Sequence, residues 1–302
     1  MASSDTSGSP DPSEESLNGK TVLVTGANSG IGYETALGLA AMGARVGMVC
    51  RNRARGEAAQ EAIKSLAGST AVDLFIADLG SQAEIARLID EVGTAYGQLD
   101  VLVNNAGVIL LSRETSADGY ELTLATNHLA PYQLTIGLID RLKAVDQARV
   151  VTVSSMVHQR AQIHFDDLQL ERKYGVMRSY GQSKLANILF ASELAKRTQD
   201  SGIISTSIHP GGVATNFGRY NPGIRGAIWR GLTTLSKVAM RSPERGAETV
   251  VWLASSPDAT ADNGAYFVDR KVKQPSKRAR DSEIARRLWD VSAELTGVDL
   301  PA

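Results

Sequence analysis

Tyr180 and Lys184 stand four residues apart in Tyr180-Gly181-Gln182-Ser183-Lys184, a spacing that places a phenol and an ammonium on one face of a helix. A free phenol titrates near pH 10, and a neighbouring cation favours the phenolate by about 1.4 kcal/mol for each pH unit of lowering. Such a pair can exchange a proton with a reacting oxygen, which is general acid/base work. Tyrosine and lysine at this spacing also occur as ordinary surface pairs, so the surroundings must decide. Ser154 and Ser155, at the end of an apolar run, are hydroxyls for a second contact to the same oxygen. Tyr174 is a competing phenol, but no lysine follows it at the same spacing.

A second cluster lies near the start of the chain. Thr25-Gly26-Ala27-Asn28-Ser29-Gly30-Ile31-Gly32 joins an apolar run to a helical pattern. Its glycines suit a tight turn, close approach of backbone to a pyrophosphate and close packing of helix on sheet, while the helix start offers free N–H groups to the anion. Between the first strand and first helix of a repeated βαβ pattern, this turn points to a dinucleotide, although a purely structural loop is the alternative. The next strand ends in Cys50-Arg51-Asn52-Arg53 with no acid. An acid there would accept hydrogen bonds from a free ribose 2′-OH, whereas Arg51 and Arg53 suit a 2′-phosphate. NADP(H) is therefore expected over NAD(H), against the plainer reading of two solvated arginines. Asp78 could accept from the adenine amino group with Leu79 beside the ring, or simply cap the following helix.

These groups need a scaffold, and the patterning supplies one. Val- and Ile-rich runs alternate with helical patterns, which predicts a single-domain α/β Rossmann fold with a doubly wound, seven-stranded parallel sheet over 20–302. The expected strands are 21–25, 45–50, 71–76, 101–104, 149–154, 203–208 and 265–268. The clearest helices are expected at 31–42, 54–66, 82–96, 120–143, 180–198 and 243–254, the last opening with Ser242 and Pro243. A C-terminal helix is expected within 281–302, with Ile284, Leu288, Trp289 and Leu295 near one face. Residues 216–240 carry Phe217, Tyr220, Ile224, Ile228 and Trp229 and read as a small substrate lid beyond a strand end. Residues 1–19, rich in Ser, Pro and acids, read as a disordered tail.

Composition narrows the partners. A net charge of −1 over 302 residues gives no basic face for nucleic acid. One cysteine, Cys50, fits a reducing compartment, the cytoplasm by default. No apolar run reaches the roughly 18 residues that a bilayer span needs, so a soluble protein without a transmembrane anchor is expected. The histidines at 128, 158, 164 and 209 show no metal-ligand spacing, and no metal is expected. Asp166-Asp167 reads as an exposed acidic pair. Arg270, Lys271, Lys273, Lys277, Arg278 and Arg280 read as a solvated surface, the alternative being a contact for an acidic partner.

Taken in order, Thr25 to Gly32, Asn104-Asn105-Ala106-Gly107, Asn127, Ser154-Ser155, Tyr180 to Lys184 and His209-Pro210-Gly211 resemble the short-chain dehydrogenase/reductase superfamily from Leu17 to Val268. The resemblance implies a catalytic set of Asn127, Ser155, Tyr180 and Lys184. In it Ser155 holds the substrate oxygen, Tyr180 exchanges the proton, Lys184 grips the nicotinamide ribose and lowers the phenol's pKa, and Asn127 holds a water on the proton path. It further implies that Gly26, Asn28, Ser29, Ile31, Gly32, Arg51, Asn52, Asp78 and Leu79 contact the cofactor. Asn105, Ala106 and Gly107 would approach its adenosine side, and Pro210, Gly211, Val213 and Thr215 would cradle its carboxamide.

Cys50-Arg51-Asn52, the interval from Ser155 to Tyr180 with Ile163-His164-Phe165, Ser183 to Asn187, and Ala285 to Trp289 are most similar to the retinol dehydrogenase-like branch. The expected activity is reversible carbonyl reduction or alcohol oxidation, by pro-S hydride transfer if the family rule holds, and NADPH favours reduction in a reducing cytosol. Met156, Val157, Tyr174, Phe217 and Trp229 could wall an apolar substrate pocket, although the two lid aromatics could equally pack the lid on the core. A redox sensor that binds NADP(H) without turnover and a cofactor-assisted epimerase or eliminating enzyme are the alternatives. Relatives commonly dimerise through the tyrosine-bearing helix; monomer and homodimer both remain open.

Overall fold

The computed structural model describes residues 16–212 and 241–300. The chain alternates strand and helix. It runs β1 (Thr21–Thr25), α1 (Gly30–Ala41), β2 (Arg45–Cys50), α2 (Arg53–Ala67), β3 (Val72–Ile76), α3 (Gln82–Ala95) and β4 (Val101–Asn104). A broken helical stretch follows: α4 (Leu122–Leu124), a π-helical turn (Ala125–Leu129), α5 (Ala130–Gly137) and α6 (Ile139–Lys143). After β5 (Arg149–Val153) and a 3-10 turn (Met156–Arg160) come α7 (Val176–Arg197) and β6 (Ile204–Ile208). The described chain resumes with α8 (Pro243–Ser255), β7 (Tyr266–Val268), β8 (Lys271–Lys273) and α9 (Ser282–Thr296).

Among the described residues, eight strands form one sheet in the order β3-β2-β1-β4-β5-β6-β7-β8. Strands β1 to β7 pair in parallel, and Val22, Leu23 and Val24 at its middle are fully buried, as a sheet covered on both faces requires. Helices α1, α2 and α8 bury Leu39, Ile63, Val250 and Leu253 on one face. On the other, α3, α5, α7 and α9 bury Leu88, Leu134, Phe190 and Trp289. Helix starts follow local chemistry: the side chains of Asn52, Ser81 and Ser242 accept from the amides of Arg55, Glu84 and Arg245, each satisfying an orphan donor of the first turn.

The structure corrects four expectations. The sheet has eight strands rather than seven, because β8 turns back antiparallel on β7 from within the basic cluster. The helix expected over 120–143 is interrupted: Tyr120 precedes it, Glu121 caps it by accepting from Thr123 and Leu124, and the π turn intervenes. The helix bearing Tyr180 starts at Val176, so the phenol sits inside the first turns rather than at the end. The expected tail to Gly19 is too long, since Leu17 is buried and its amide donates to the Met42 carbonyl. Val213, Thr215, Phe217, Trp229 and the rest of the expected lid lie outside the described residues.

Candidate active site

A cleft of about 460 Å³ opens at the carboxyl ends of β1 to β6, where the strand order reverses and open α/β sheets bind ligands. At one end lies the glycine-rich turn. The Thr25 hydroxyl accepts from the amides of Asn105 and Ala106, and the Asn105 side chain donates to the Thr25 carbonyl at 2.8 Å. These bonds tie the end of β1 to the end of β4. Gly26 and Gly30 adopt φ of +69° and +59°, the left-handed region that glycine enters without penalty. A Cβ at Gly32 would fall 2.4 Å from the Asn105 side chain and from the Gly26 carbonyl, so only glycine lets α1 approach the sheet this closely.

Asn28, Ser29, Gly30, Ile31 and Gly32 line the cleft. The Ser29 side chain leaves the first-turn amides of α1 uncapped, and no acid sits in that turn. Free amides with the positive end of the helix dipole make an anion site. At the end of β2, Arg51, Asn52 and Arg55 line the same cleft. Arg55 takes the place expected of Arg53, which reaches toward Glu57 on the outer surface of α2. Arg51 comes within 3.7 Å of Asp78. Asp78 and Leu79 line the wall, Asp78 also accepting from the Gly80 amide.

At the other end Ser155, Tyr180 and Lys184 converge with Gly107. The Lys184 ammonium is almost wholly buried, donates to the Val153 carbonyl at 2.9 Å and lies 5.7 Å from the centre of the Tyr180 ring. The two serines separate in role. Ser154 donates to the Lys184 carbonyl at 2.7 Å, pinning α7 to β5, while the Ser155 hydroxyl bonds the Tyr180 phenol. Asn127 lies fully buried in the π turn. Its side-chain oxygen accepts from the Val108 amide at 2.7 Å, and its nitrogen donates to the Val108 carbonyl and to Ser183.

Burial governs the titration here. It pushes Tyr180 up to about 12, with the Ser155 bond pulling the other way, and pushes Lys184 down to about 8. In the protein alone the phenol therefore sits above its ordinary value, because removing a phenolate from water is costly.

Not every expected pocket residue meets the cleft. Asn105, Ala106, Gly107, Pro210 and Gly211 line it, but Met156, Val157 and Tyr174 do not. Met156 is 57% exposed on the 3-10 turn, and the Tyr174 hydroxyl donates to the Leu110 carbonyl. The apolar wall comes instead from Val108, Ile109 and Leu110, with Glu114 at its edge. These directly follow the Asn-Ala-Gly motif, and a strand-end position was the available signal. His209, also unassigned from sequence, lines the cleft, its pKa pushed down to about 4 chiefly by burial.

The family model described as short chain dehydrogenase matches residues 20–222. Retinol dehydrogenase 13 of Homo sapiens is 39% identical over 295 residues, covering 96% of this chain and 88% of its own length. An uncharacterized protein from Mycobacterium paratuberculosis has a crystal structure that superposes with a TM-score of 0.77 at 32% identity, covering 96% of this chain and 97% of that one. A short chain dehydrogenase from Burkholderia cenocepacia in complex with NADP superposes at 0.64 with 27% identity, over 84% of this chain and 97% of its own. With a glycine-rich turn at one end of a single cleft and a serine, tyrosine and lysine gathered at the other, this chain belongs to the short-chain dehydrogenase family of oxidoreductases, in its retinol dehydrogenase-like branch.

Proposed function

We propose that this protein is an NADP(H)-dependent carbonyl reductase and alcohol dehydrogenase acting on a bulky, apolar aldehyde, ketone or alcohol. The observation that carries the reading is the meeting of Ser155, Tyr180 and Lys184 in the cleft that the glycine-rich turn also lines. The cradle suits a dinucleotide: uncapped amides of α1 for the pyrophosphate, and Arg51 with Arg55 for a 2′-phosphate. The NADP complex of the Burkholderia cenocepacia relative supports that preference.

When bound, the nicotinamide supplies or accepts the hydride. The Ser155 hydroxyl and the Tyr180 phenol together hold the substrate oxygen. Kept neutral by burial, Tyr180 has a proton to give to that oxygen as it gains negative charge, and in the oxidative direction it takes the proton back. Lys184, anchored on the Val153 carbonyl, has N–H bonds to spare that would hold the cofactor's ribose. Because both amide hydrogens of Asn127 are engaged, any water it holds on the proton path must donate to one of its oxygens. Val108, Ile109 and Leu110 offer an apolar wall that suits a bulky, apolar substrate. The buried free thiol of Cys50 fits the cytoplasmic location expected.

The test follows NADPH absorbance with purified protein over a panel of short polar and bulky apolar carbonyls, with NADH as the competing cofactor. We expect turnover of bulky substrates with NADPH, and at least about a 100-fold loss in Tyr180→Phe. Turnover unchanged in that variant, or a clear preference for NADH or for short polar carbonyls, would overturn the corresponding part of the reading.

A further inference from the structure

Ser155 bonds the Tyr180 phenol, yet it sits at a strand end followed by a turn, and something must hold its backbone. His158 does so from the next turn of chain. The imidazole is fully buried, with Nδ1 2.7 Å from the Ser155 carbonyl oxygen and Nε2 3.3 Å from the Ser276 amide nitrogen. A backbone amide only donates, so Nε2 must be the unprotonated acceptor. A carbonyl only accepts, so Nδ1 must carry the proton. The two partners together select one neutral tautomer.

The surroundings agree with a neutral ring. Tyr266 on β7 meets it edge-on with ring centres 5.1 Å apart, and burial lowers the imidazole's pKa against the opposing effect of the Ser155 bond. His209 at the end of β6 faces it and is itself held largely neutral, with Arg241 and Asp269 beyond. Protonation of Nε2 would turn a donor against the Ser276 amide and break the contact.

We propose that His158 is a positioning residue for the reaction: in its Nδ1–H tautomer, set by Ser276 118 residues away, it clamps the Ser155 carbonyl and so aims the Ser155 hydroxyl at Tyr180. The inference rests on the reading of Ser155 as the group that holds the substrate oxygen. His158 does not line the cleft and touches no reacting atom; it acts through Ser155. It also makes the 274–280 segment, which carries the Ser276 amide, part of the support of the site.

The variants separate the two bonds. The side-chain nitrogen of His158→Asn can occupy the Nδ1 position and donate to Ser155. His158→Gln can reach Ser276 with its oxygen but leaves the Ser155 carbonyl with only the backbone amide of residue 158, 3.2 Å away, which every variant keeps. His158→Ala loses both. Steady-state kinetics with NADPH and a bulky carbonyl, NADPH affinity by fluorescence titration and unfolding midpoints would be recorded for each, alongside Ser155→Ala. We expect kcat to fall about 10- to 100-fold in His158→Ala and His158→Gln, the scale of a small misplacement at a reacting centre, with NADPH affinity within about twofold of the parent. His158→Asn should recover most of kcat. Nitrogen-15 NMR of the imidazole should show Nδ1 protonated and Nε2 bare. Full kcat in a folded His158→Ala, equal losses in Asn, Gln and Ala, or the opposite tautomer would overturn the inference while leaving the reductase reading intact. Full activity in Ser155→Ala would instead remove the reading on which it rests.

Discussion

At the scale of single residues, the site keeps two polar groups in a place that penalises their charge. Lys184 is the clearer case, because its folded pKa of about 8 lies below the ordinary lysine value of 10.5. Between those values the unfolded chain holds more protons than the folded one, so stability rises with pH through the window and the penalty is fully present below it. Tyr180 has the opposite sign: raised from 10 to about 12, it lowers stability only as pH climbs past 10. In urea unfolding of the cofactor-free protein from pH 7.5 to 9.5, the raised Cys50 thiol pulls the other way in parent and variant alike, so the difference between the parent and Lys184→Met isolates Lys184, and the parent should gain about 1–2 kcal/mol on the variant across that range. Lys184→Met should lose this slope and be no less stable than the parent at pH 7, since the Val153 carbonyl keeps a donor in Asn187, while its turnover disappears. A Lys184→Met variant as pH-dependent as the parent would show that the charge is not desolvated as described. The serine pair shows why residue type was insufficient in the sequence. Ser154 and Ser155 are chemically equal, and only the side of β5 to which each points made one an anchor for α7 and the other a partner of Tyr180.

At the scale of elements, the π turn at Ala125–Leu129 is the feature that local pattern concealed. One extra residue in a turn hardly alters the spacing of apolar side chains, so 120–143 reads as one helix. In the fold, the bulge carries Asn127 against Val108 and Ser183, and such bulges concentrate at functional sites. Asn127→Ala strips partners from the Val108 amide and carbonyl and should cost about 1–3 kcal/mol in urea unfolding. Its activity should fall as well, because Val108 lines the cleft. A stability change below about 0.5 kcal/mol would mean that water replaces these bonds without loss. Strand β8 was concealed for a different reason. Lys271 and Lys273 flank Val272 with all three exposed, and the turn into the strand places Asp269 and Arg270 at φ of +52° and +58° without the glycine that usually marks such a hairpin.

At the scale of the whole molecule, α9 closes the face of α7 that looks away from the cleft. Trp289 stacks on Phe190 at 5.9 Å, meets Tyr132 edge-on at 5.0 Å, lies under the Arg197 guanidinium and donates to Asp299 at 2.8 Å. Removing an anchor of this size from a core costs about 3–5 kcal/mol, and Trp289→Ala should lose that much in chemical unfolding. NADPH affinity of its folded fraction should be unchanged, since no residue of α9 lines the cleft; a weakened affinity would mean that α9 holds the site as well as the core. Across the molecule, the sequence by itself determined the strands β1 to β7 to within a residue, the glycine-rich turn, the Tyr180–Lys184 spacing and the C-terminal helix. Each of these depends on residues close together in the chain, through periodicity, capping and backbone freedom. Only the tertiary structure decided that Ser154 anchors α7, that Arg55 rather than Arg53 joins Arg51, that Val108 to Leu110 rather than Met156, Val157 and Tyr174 line the cleft among the described residues, and that Ser276 sets the tautomer of His158. Those outcomes depend on the direction of a side chain at the end of an element and on the segment packed against it, which lies up to 118 residues away; no local preference carries that information.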